Sequence, residues 1–229
     1  MGWPARFVRS SIGAKFVLAG TGVLLFLFVI AHLLGNLQVF AGPEAINHNA
    51  ASLRALGPLL WVARVGLLAV AGVHVAFALR VQKLNEAAKP VAYVTLAARQ
   101  IKPQTRLMFT SGLVLLGYAV FHLAHFTWGL LYPQYYDAME KLADGSLRHD
   151  VYSMMVNGLG VWWVSLAYVV AMFFLALHLM HGISSVPQTF GWNHVKYRFA
   201  FRLLGPAVAT LVFAGYVSIP TAILLGALR

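Results

Sequence analysis

Residues 16–34 read FVLAGTGVLLFLFVIAHLL, nineteen residues without a formal charge. A helix rises about 1.5 Å per residue, so roughly 20 apolar residues cross the hydrocarbon core of a bilayer. Four more such stretches follow, and backbone polar groups in lipid must bond within their own segment, which makes each stretch a helix. We therefore predict an all-α integral membrane bundle of five transmembrane helices. It forms a single transmembrane domain over residues 1–229, with helices at approximately 13–38, 58–84, 104–131, 158–185 and 203–228.

The composition excludes an ordinary water-soluble domain. Hydrophobic residues make up 60% of the chain and charged residues 10%, with a mean hydropathy of +0.75, whereas soluble domains carry about 25% charged residues. The chain has no cysteine, which excludes disulfides, thiolate metal sites, protein-held iron–sulfur clusters and covalent haem attachment. Any redox or metal chemistry in this chain must therefore use histidine.

The basic residues predict the orientation, because they favour cytoplasmic loops. With the N-terminus inside, the cytoplasmic side carries one acid, Glu86, and these basic residues: Arg6, Arg9, Lys15, Arg80, Lys83, Lys89, Arg99, Lys102, Arg106, Lys196, Arg198 and Arg202. Basic and acidic residues balance on the outer side. We expect a cytoplasmic N-terminus and an outer C-terminus. The pI near 10.3 reflects basic residues that are scattered over short loops. Membrane topology and attraction to anionic lipid headgroups account for these residues, so we expect no nucleic-acid partner.

The first helix could also be a secretory signal, since basic residues precede it and residues 39–41 loosely resemble a cleavage site. The apolar region of a signal peptide is only about 7–15 residues long. The first helix is longer and contains His32. We therefore expect it to remain in the protein.

Six histidines lie inside the apolar helices, where ionisable groups are costly and usually functional: His32, His74, His122, His125, His178 and His181. His32 lies roughly 28 Å from the cytoplasmic start of helix one, and His74 roughly 24 Å from the outer start of helix two. By the same count His122 lies toward the outside and His178 toward the cytoplasm. Depth thus pairs His32 with His122 and His74 with His178.

Two facing imidazoles at one depth suit a b-type haem, whose iron takes one nitrogen on each axial side while the porphyrin packs between helices. A glycine accompanies each histidine: Gly35, Gly72, Gly117 and Gly182. Interhelical hydrogen bonding is one alternative role. Metal or proton transport is another, but it usually adds intramembrane carboxylates, and all six acids here lie in loops or near the surfaces. The pattern favours two haems.

Several stretches carry a resemblance to a known family: 28–36 (FVIAHLLGN), 42–47 (GPEAIN), 56–64 (LGPLLWVAR), 73–75 (VHV), 106–112 (RLMFTSG), 121–126 (FHLAHF), 177–182 (LHLMHG) and 188–191 (QTFG). Together they resemble the cytochrome b membrane anchor of succinate:quinone oxidoreductases, of the single-chain, five-helix, two-haem type. The resemblance covers essentially the whole chain. It is most specific around His178, because the following glycine and the Thr-aromatic-Gly ending recur at the family spacing.

Matching motif by motif, the resemblance implies that the axial ligands of two haems b are His32, His74, His122 and His178. It makes His125 and His181 neighbours that line a haem edge, bond a propionate or shape a quinone pocket. For the haem propionates, Arg64 is placed to reach the outer haem, and Arg106 and Arg202 the inner one, unless they extend to lipid headgroups. Polar residues near quinone depth are Glu44, Asn47, His48, Thr110 and Ser111. His48, His149 and His194 lie in loops, where we expect solvated side chains.

The resemblance also implies partners and a location. A separate flavoprotein subunit carries the succinate site, and an iron–sulfur subunit docks on the cytoplasmic side. This chain anchors both in the bacterial cytoplasmic membrane as a multi-pass, electron-transfer subunit, and it passes electrons to a quinone, commonly menaquinone. A higher oligomer of the complex is left open.

One position departs from part of the family. Some two-haem fumarate reductases carry a glutamate two residues before the fourth ligand, where this chain has Ala176. The departure favours succinate oxidation as the direction. Two alternatives remain: a cytochrome b subunit of a hydrogenase or formate dehydrogenase, and a non-haem transporter with structural histidines. Haem content separates the transporter from the cytochromes, and a copurifying flavoprotein separates the cytochromes from one another.

Overall fold

The computed structural model describes residues 2–88, 107–192 and 194–229. It is 83% helical, with nine α-helices in the described ranges, and it fits the all-α prediction. The helices are α1 (Trp3–Arg9), α2 (Ser11–Leu37), α3 (Pro43–Ala55), α4 (Pro58–Ala87), α5 (Met108–His122), α6 (Pro133–Tyr136), α7 (Val151–Gly160), α8 (Trp162–Thr189) and α9 (Arg198–Leu224). Two short antiparallel strands, β1 (Met139–Lys141) and β2 (Leu147–His149), form a hairpin between α6 and α7.

Five of these segments are long and apolar enough to cross a membrane, as predicted. They are Ser11–Ala41, which is α2 with a following 3₁₀ turn, Pro58–Ala87, Met108–Thr127, Trp162–Thr189 and Val195–Leu224. Many large apolar side chains on them face outward. This is the pattern of helices that are solvated by lipid rather than by water.

The chain termini lie at opposite ends of the bundle. At the N-terminal end, the Arg80 guanidinium of α4 donates to the carbonyls of Val8 and Arg9, and Phe16 meets Phe190 edge to face. At the other end, which we call the hairpin end, α3, the hairpin and α7 cover the bundle. The five long helices therefore run alternately up and down.

The long helices pack through two buried clusters. One lies at the hairpin end and includes Val39, Val164 and Ile223. The other joins α2, α8 and α9 and is centred on Leu33, Leu179, Ala209 and Val212. Close approach of α8 and α9 requires Gly205, because a Cβ there would lie 2.6 Å from the Met180 carbonyl oxygen. Small residues at such crossings let membrane helices pack by van der Waals contact.

Three of the five long helices have boundaries that differ from the prediction by four residues or more. The third long helix ends in a π turn, Leu123–Thr127, followed by Gly129 at φ +64°, four residues before the predicted end at Leu131. The fourth begins at Trp162 rather than at Gly158, because the extended backbone of Val161 separates it from α7. The fifth begins earlier, at Arg198, and ends earlier, at Leu224. Residues 132–150, between the third long helix and α7, hold α6 and the hairpin.

A buried amide holds the cover of the hairpin end together. The Asn47 side chain of α3 is fully buried. Its amide donates to Asp150 Oδ1 over 3.0 Å, and its Oδ1 accepts from the Tyr152 N–H over 2.9 Å. Burial raises the pKa of Asp150, but hydrogen bonds from Ser153 and Asn47 outweigh burial and hold that pKa below its ordinary value. On the rim, Arg148 pairs with Glu44 and Glu140.

We expect Asn47→Leu to destabilise the folded protein by about 1–3 kcal/mol, because it leaves a buried backbone N–H without its acceptor. The measurement is thermal unfolding in detergent. Asn49→Leu is the matched control, since Asn49 lies on the same helix, is half-buried and makes no side-chain hydrogen bond that the described structure shows. Equal losses in the two variants would contradict the assignment.

Candidate functional site

The structure brings together the two histidine pairs that depth predicts. His32 on α2 faces His122 on α5, with ring centroids 5.7 Å apart and ring planes at 85°. His74 on α4 faces His178 on α8, with centroids 6.4 Å apart and planes at 64°. The first pair lies toward the hairpin end and the second toward the N-terminal end. Four helices thus contribute one histidine each to two sites at different depths.

The ring separations fit one metal shared between two imidazoles. Two histidine nitrogens that each bind a metal at about 2.0 Å place their ring centroids about 6 Å apart. The observed separations of 5.7 and 6.4 Å lie on either side of this value. Each pair supplies two nitrogens, which is the number of axial positions on a haem iron. In the described part of the chain no three His, Asp or Glu side chains gather as a metal site.

Hydroxyl groups hold both rings of the pair near the N-terminal end. Thr21 Oγ1 lies 3.1 Å from His74 Nδ1 and 2.8 Å from the Val17 carbonyl oxygen. Ser111 Oγ, which is fully buried, lies 3.1 Å from His178 Nδ1 and 2.9 Å from the Met108 carbonyl oxygen.

Each hydroxyl has one hydrogen, and the carbonyl of its own helix takes it. The hydroxyl oxygen therefore accepts from the ring Nδ1–H. This fixes the tautomer in which Nε2 is free to bind a metal.

Glycines follow these hydroxyls and let the rings approach the helix backbone. A Cβ on Gly22 would lie 3.2 Å from His74 Cε1, and a Cβ on Gly112 would lie 3.6 Å from His178 Cε1. The same dipeptide arrangement, hydroxyl residue then glycine, thus faces both histidines. Three of the glycines singled out in the sequence leave open space beside their helices: a Cβ added at Gly72, Gly117 or Gly182 would have no other atom within 4 Å.

Aromatic side chains enclose the pair toward the hairpin end. Phe28 stacks on His32 at 5.4 Å, and Tyr216 of α9 lies 6.4 Å from the same ring. The Tyr216 hydroxyl donates to the Val29 carbonyl over 2.8 Å, which ties α9 to α2 beside the site. Tyr168 of α8 bonds His122 through its hydroxyl, 3.1 Å from Nδ1. The His32–His122 pair is therefore surrounded mostly by aromatic rings, with few polar contacts.

His125 and His181 do not face across the bundle to the partner histidines. His125 lies in the π turn, is 3% exposed and stacks on Phe126 at 3.9 Å. Its Nε2 lies 2.9 Å from the position of a Cβ on Gly158, so α7 closes that side of the ring. His181 is half-buried one helical turn beyond His178. Both residues border the pairs, and their role as neighbours of the ligands stays a prediction.

Of the three arginines considered for propionates, one lies in a pocket. Arg64 rests over the Trp61 ring at 5.0 Å. It lines a cavity of about 480 Å³ at the hairpin end together with Arg54 and His149. Arg202 is exposed near the start of α9. Arg106 lies outside the described residues.

His149 differs from the solvated loop histidine that we expected. Both of its ring nitrogens are shielded from solvent, and neither has a hydrogen-bond partner within the described ranges. Burial first, and then the charge of Arg54, hold its pKa below the usual value. A half-buried imidazole thus lines the arginine pocket. His48 and His194 are exposed, as expected.

The quinone candidates fall into two groups. Asn47 and Ser111 are buried, and their polar atoms are already bonded within the protein. Glu44 is paired with Arg148, whose hydrogen bond lowers the pKa of that carboxyl. His48 and Thr110 are exposed, and neither side chain makes a hydrogen bond within the described ranges. The geometry therefore removes Asn47 and Ser111 from direct contact with a quinone and gives them structural or orienting roles.

Sequence reasoning missed Thr21 and Tyr168. A single threonine or tyrosine in an apolar helix carries no signal of its own. The repeated dipeptides Thr21-Gly22 and Ser111-Gly112 could have marked two helices that each receive a histidine. Comparison with protein-family models, with curated proteins and with solved structures finds no match to this chain. The functional argument therefore depends on its own residues and geometry.

Proposed function

We propose that this chain is the membrane-anchor cytochrome b of a succinate dehydrogenase, with two haems b and a quinone as the electron acceptor, as the sequence resemblance implies. The observation that carries the proposal is the pair of facing histidine sites, His32 with His122 and His74 with His178. Interhelical packing alone does not require four helices to present imidazoles in two opposed pairs. Packing alone also does not require hydroxyls that bond Nδ1 of His74 and His178 and leave Nε2 of each ring free.

In this proposal each of the four histidines would hold a haem iron through one ring nitrogen, and the surrounding residues orient the ring. Thr21 and Ser111 fix the tautomers of His74 and His178. Nothing lies within 4 Å of a Cβ built at Gly72, Gly117 or Gly182, so these positions would not obstruct a flat macrocycle. When bound, the two haems would supply one-electron transfer between an iron–sulfur subunit and quinone in the membrane. Arg64 and the neighbouring pocket are the described candidates for binding a propionate.

The charge distribution supports docking of partners at the N-terminal end. This end carries the following basic residues among those described: Arg6, Arg9, Lys15, Arg80, Lys83, Lys196 and Arg202. The acid at this end, Glu86, accepts a hydrogen bond from Gln82. At the hairpin end, by contrast, Arg148 is neutralised by Glu44 and Glu140. We propose that the N-terminal end is cytoplasmic, as the positive-inside rule predicts, and that it binds the iron–sulfur subunit beneath the flavoprotein.

The second candidate is a cytochrome b of another oxidoreductase, such as a hydrogenase or formate dehydrogenase. The same histidine pairs serve it equally well, so the partner decides between the two. A transporter is less favoured, because the carboxylate in the described spans, Glu86, lies in the last turn of α4 and not in the membrane interior, where a carboxylate would carry a cation. Ala176, half-buried on α8 against α9, offers no proton-carrying group before His178 and favours the succinate-oxidising direction.

Purification in mild detergent from the native membrane is expected to bring down two further proteins, one with covalent flavin and one with iron–sulfur clusters. Because docking is electrostatic, the double variant Lys83→Glu, Lys196→Glu is expected to release them at lower salt than the wild type. Lys141→Glu is the matched control, since Lys141 is equally exposed but lies in the hairpin. A stable single chain with full activity alone would support the transporter. A partner with a nickel or molybdenum centre would support the second candidate.

A further inference from the structure

Tyr168 lies between two histidines of the neighbouring helix. Its hydroxyl oxygen is 3.1 Å from Nδ1 of His122 and 3.1 Å from Nδ1 of His125. Tyr168 is 8% exposed and His125 3% exposed, so the bridge is closed to bulk solvent. The π turn Leu123–Thr127 holds His125 one turn beyond His122, where a single hydroxyl reaches both rings.

The chemistry of one hydroxyl forces the two rings into opposite tautomers. A tyrosine hydroxyl has a single hydrogen, so it can donate to only one of the two Nδ1 atoms and must accept from the other. The ring that donates carries Nδ1–H and has a bare Nε2. The ring that accepts has a bare Nδ1 and carries its hydrogen on Nε2. Only one of these two histidines can therefore offer Nε2 to a metal.

The surroundings of each ring decide the direction of the bridge. His122 faces His32 across the bundle at 5.7 Å. His125 points its Nε2 at α7, where the position of a Cβ on Gly158 is 2.9 Å away, and this leaves no room for a metal. The bare Nε2 must then belong to His122. The chain of hydrogen bonds runs from His122 Nδ1–H to the Tyr168 oxygen, and from the Tyr168 hydroxyl to His125 Nδ1.

We infer that Tyr168 is a positioning residue that holds His122 in its metal-binding tautomer and that His125 is the acceptor that makes this possible. The inference rests on the proposed function, since it assigns His122 as a haem ligand. Near the N-terminal end, backbone carbonyls receive the hydroxyl hydrogens of Thr21 and Ser111. Near the hairpin end, His125 takes the place of that carbonyl. The bridge also explains why a second histidine lies so close to a ligand without binding metal itself.

The test begins with Tyr168→Phe, which keeps the ring and removes the hydroxyl. We expect the haem of the His32–His122 pair, identified by its absence in His32→Ala, to be lost to apomyoglobin about 10- to 100-fold more readily. Its midpoint potential is expected to rise, because His122 becomes a less basic ligand without its acceptor. The other haem should keep its potential and retention.

Tyr118→Phe is the matched control. The Tyr118 ring lies 5.8 Å from His122 and 5.2 Å from Tyr168, but within the described structure its hydroxyl bonds neither histidine. We expect this variant to match the wild type. If Tyr168→Phe also matches the wild type, the inference is overturned while the two haems, and with them the proposed function, stand. A wild type without haem at this pair overturns both.

Two variants of His125 test the end of the bridge. His125→Asn keeps an oxygen that can accept from the Tyr168 hydroxyl, and we expect near wild-type haem retention and potential. His125→Leu removes the acceptor, and we expect the same direction of change as in Tyr168→Phe. If Asn and Leu behave alike at this position, His125 is not the acceptor and the assigned direction of the bridge is wrong.

Discussion

We expect His178→Ala to leave the purified protein with about half of its haem, because the His74 ring loses the partner that faces it at 6.4 Å. The His32–His122 pair contains no residue of the damaged site, so its haem should remain low-spin and six-coordinate. His122→Ala should give the complementary loss at the other pair. Acid-acetone extraction and pyridine haemochrome quantification measure the ratio. The wild type should contain two extractable haems b per chain, since no cysteine can form a thioether.

The neighbouring histidines provide the controls for this experiment. His181→Ala and His125→Ala remove an imidazole one helical turn from each ligand and should keep both haems, with changes limited to potentials, retention or quinone kinetics. Sequence periodicity cannot choose the ligand between His178 and His181, or between His122 and His125, because residues three apart share a helical face. If His181→Ala loses a haem and His178→Ala retains both, the ligand on α8 is His181. A wild type with one haem, or none, would reject the two-haem proposal itself.

The sequence predicted those features that depend only on position along the chain, such as the apolar spans and the depth of each histidine. Apolar length predicts the spans, because lipid requires each segment to satisfy its own backbone. Depth follows from counting residues along a helix of known rise, and the pairing of His32 with His122 needs nothing more. The structure shows the same pairs face to face. Their role as haem ligands stays a prediction until haem is measured.

Features that depend on contacts between distant segments were not predictable. The π turn at Leu123–Thr127 and the break at Val161 are local departures inside apolar runs, where hydrophobicity gives no boundary signal. The sequence offered Asn47 as a quinone candidate in a loop, whereas its buried side chain bonds Asp150 and the Tyr152 N–H, more than 100 residues further along the chain. The bridging role of Tyr168 depends on α5 and α8 meeting at one depth. Such residues become visible only when helix packing is known.

The second large effect concerns the close contact between α2 and His74. A Cβ on Gly22 would lie 3.2 Å from His74 Cε1, closer than most real Cβ contacts, so a larger side chain must move the ring. We expect Gly22→Val to displace His74 from His178 and to remove the haem of that pair, because a β-branched residue in a helix cannot rotate both γ-carbons away.

Gly20→Val is the matched control, since it makes the same substitution on the same helix at a position with no atom within 4 Å of the Cβ. Both variants carry the same cost in helix propensity, so a general weakening of α2 would affect them equally. We expect Gly20→Val to retain both haems and Gly22→Val to retain only the haem of the His32–His122 pair. The readout is haem content together with redox titration, which shows which of the two potentials has disappeared. Retention of both haems in Gly22→Val would mean that haem binding by His74 does not depend on the contact of its ring with α2. It would also contradict the orienting role assigned to Thr21.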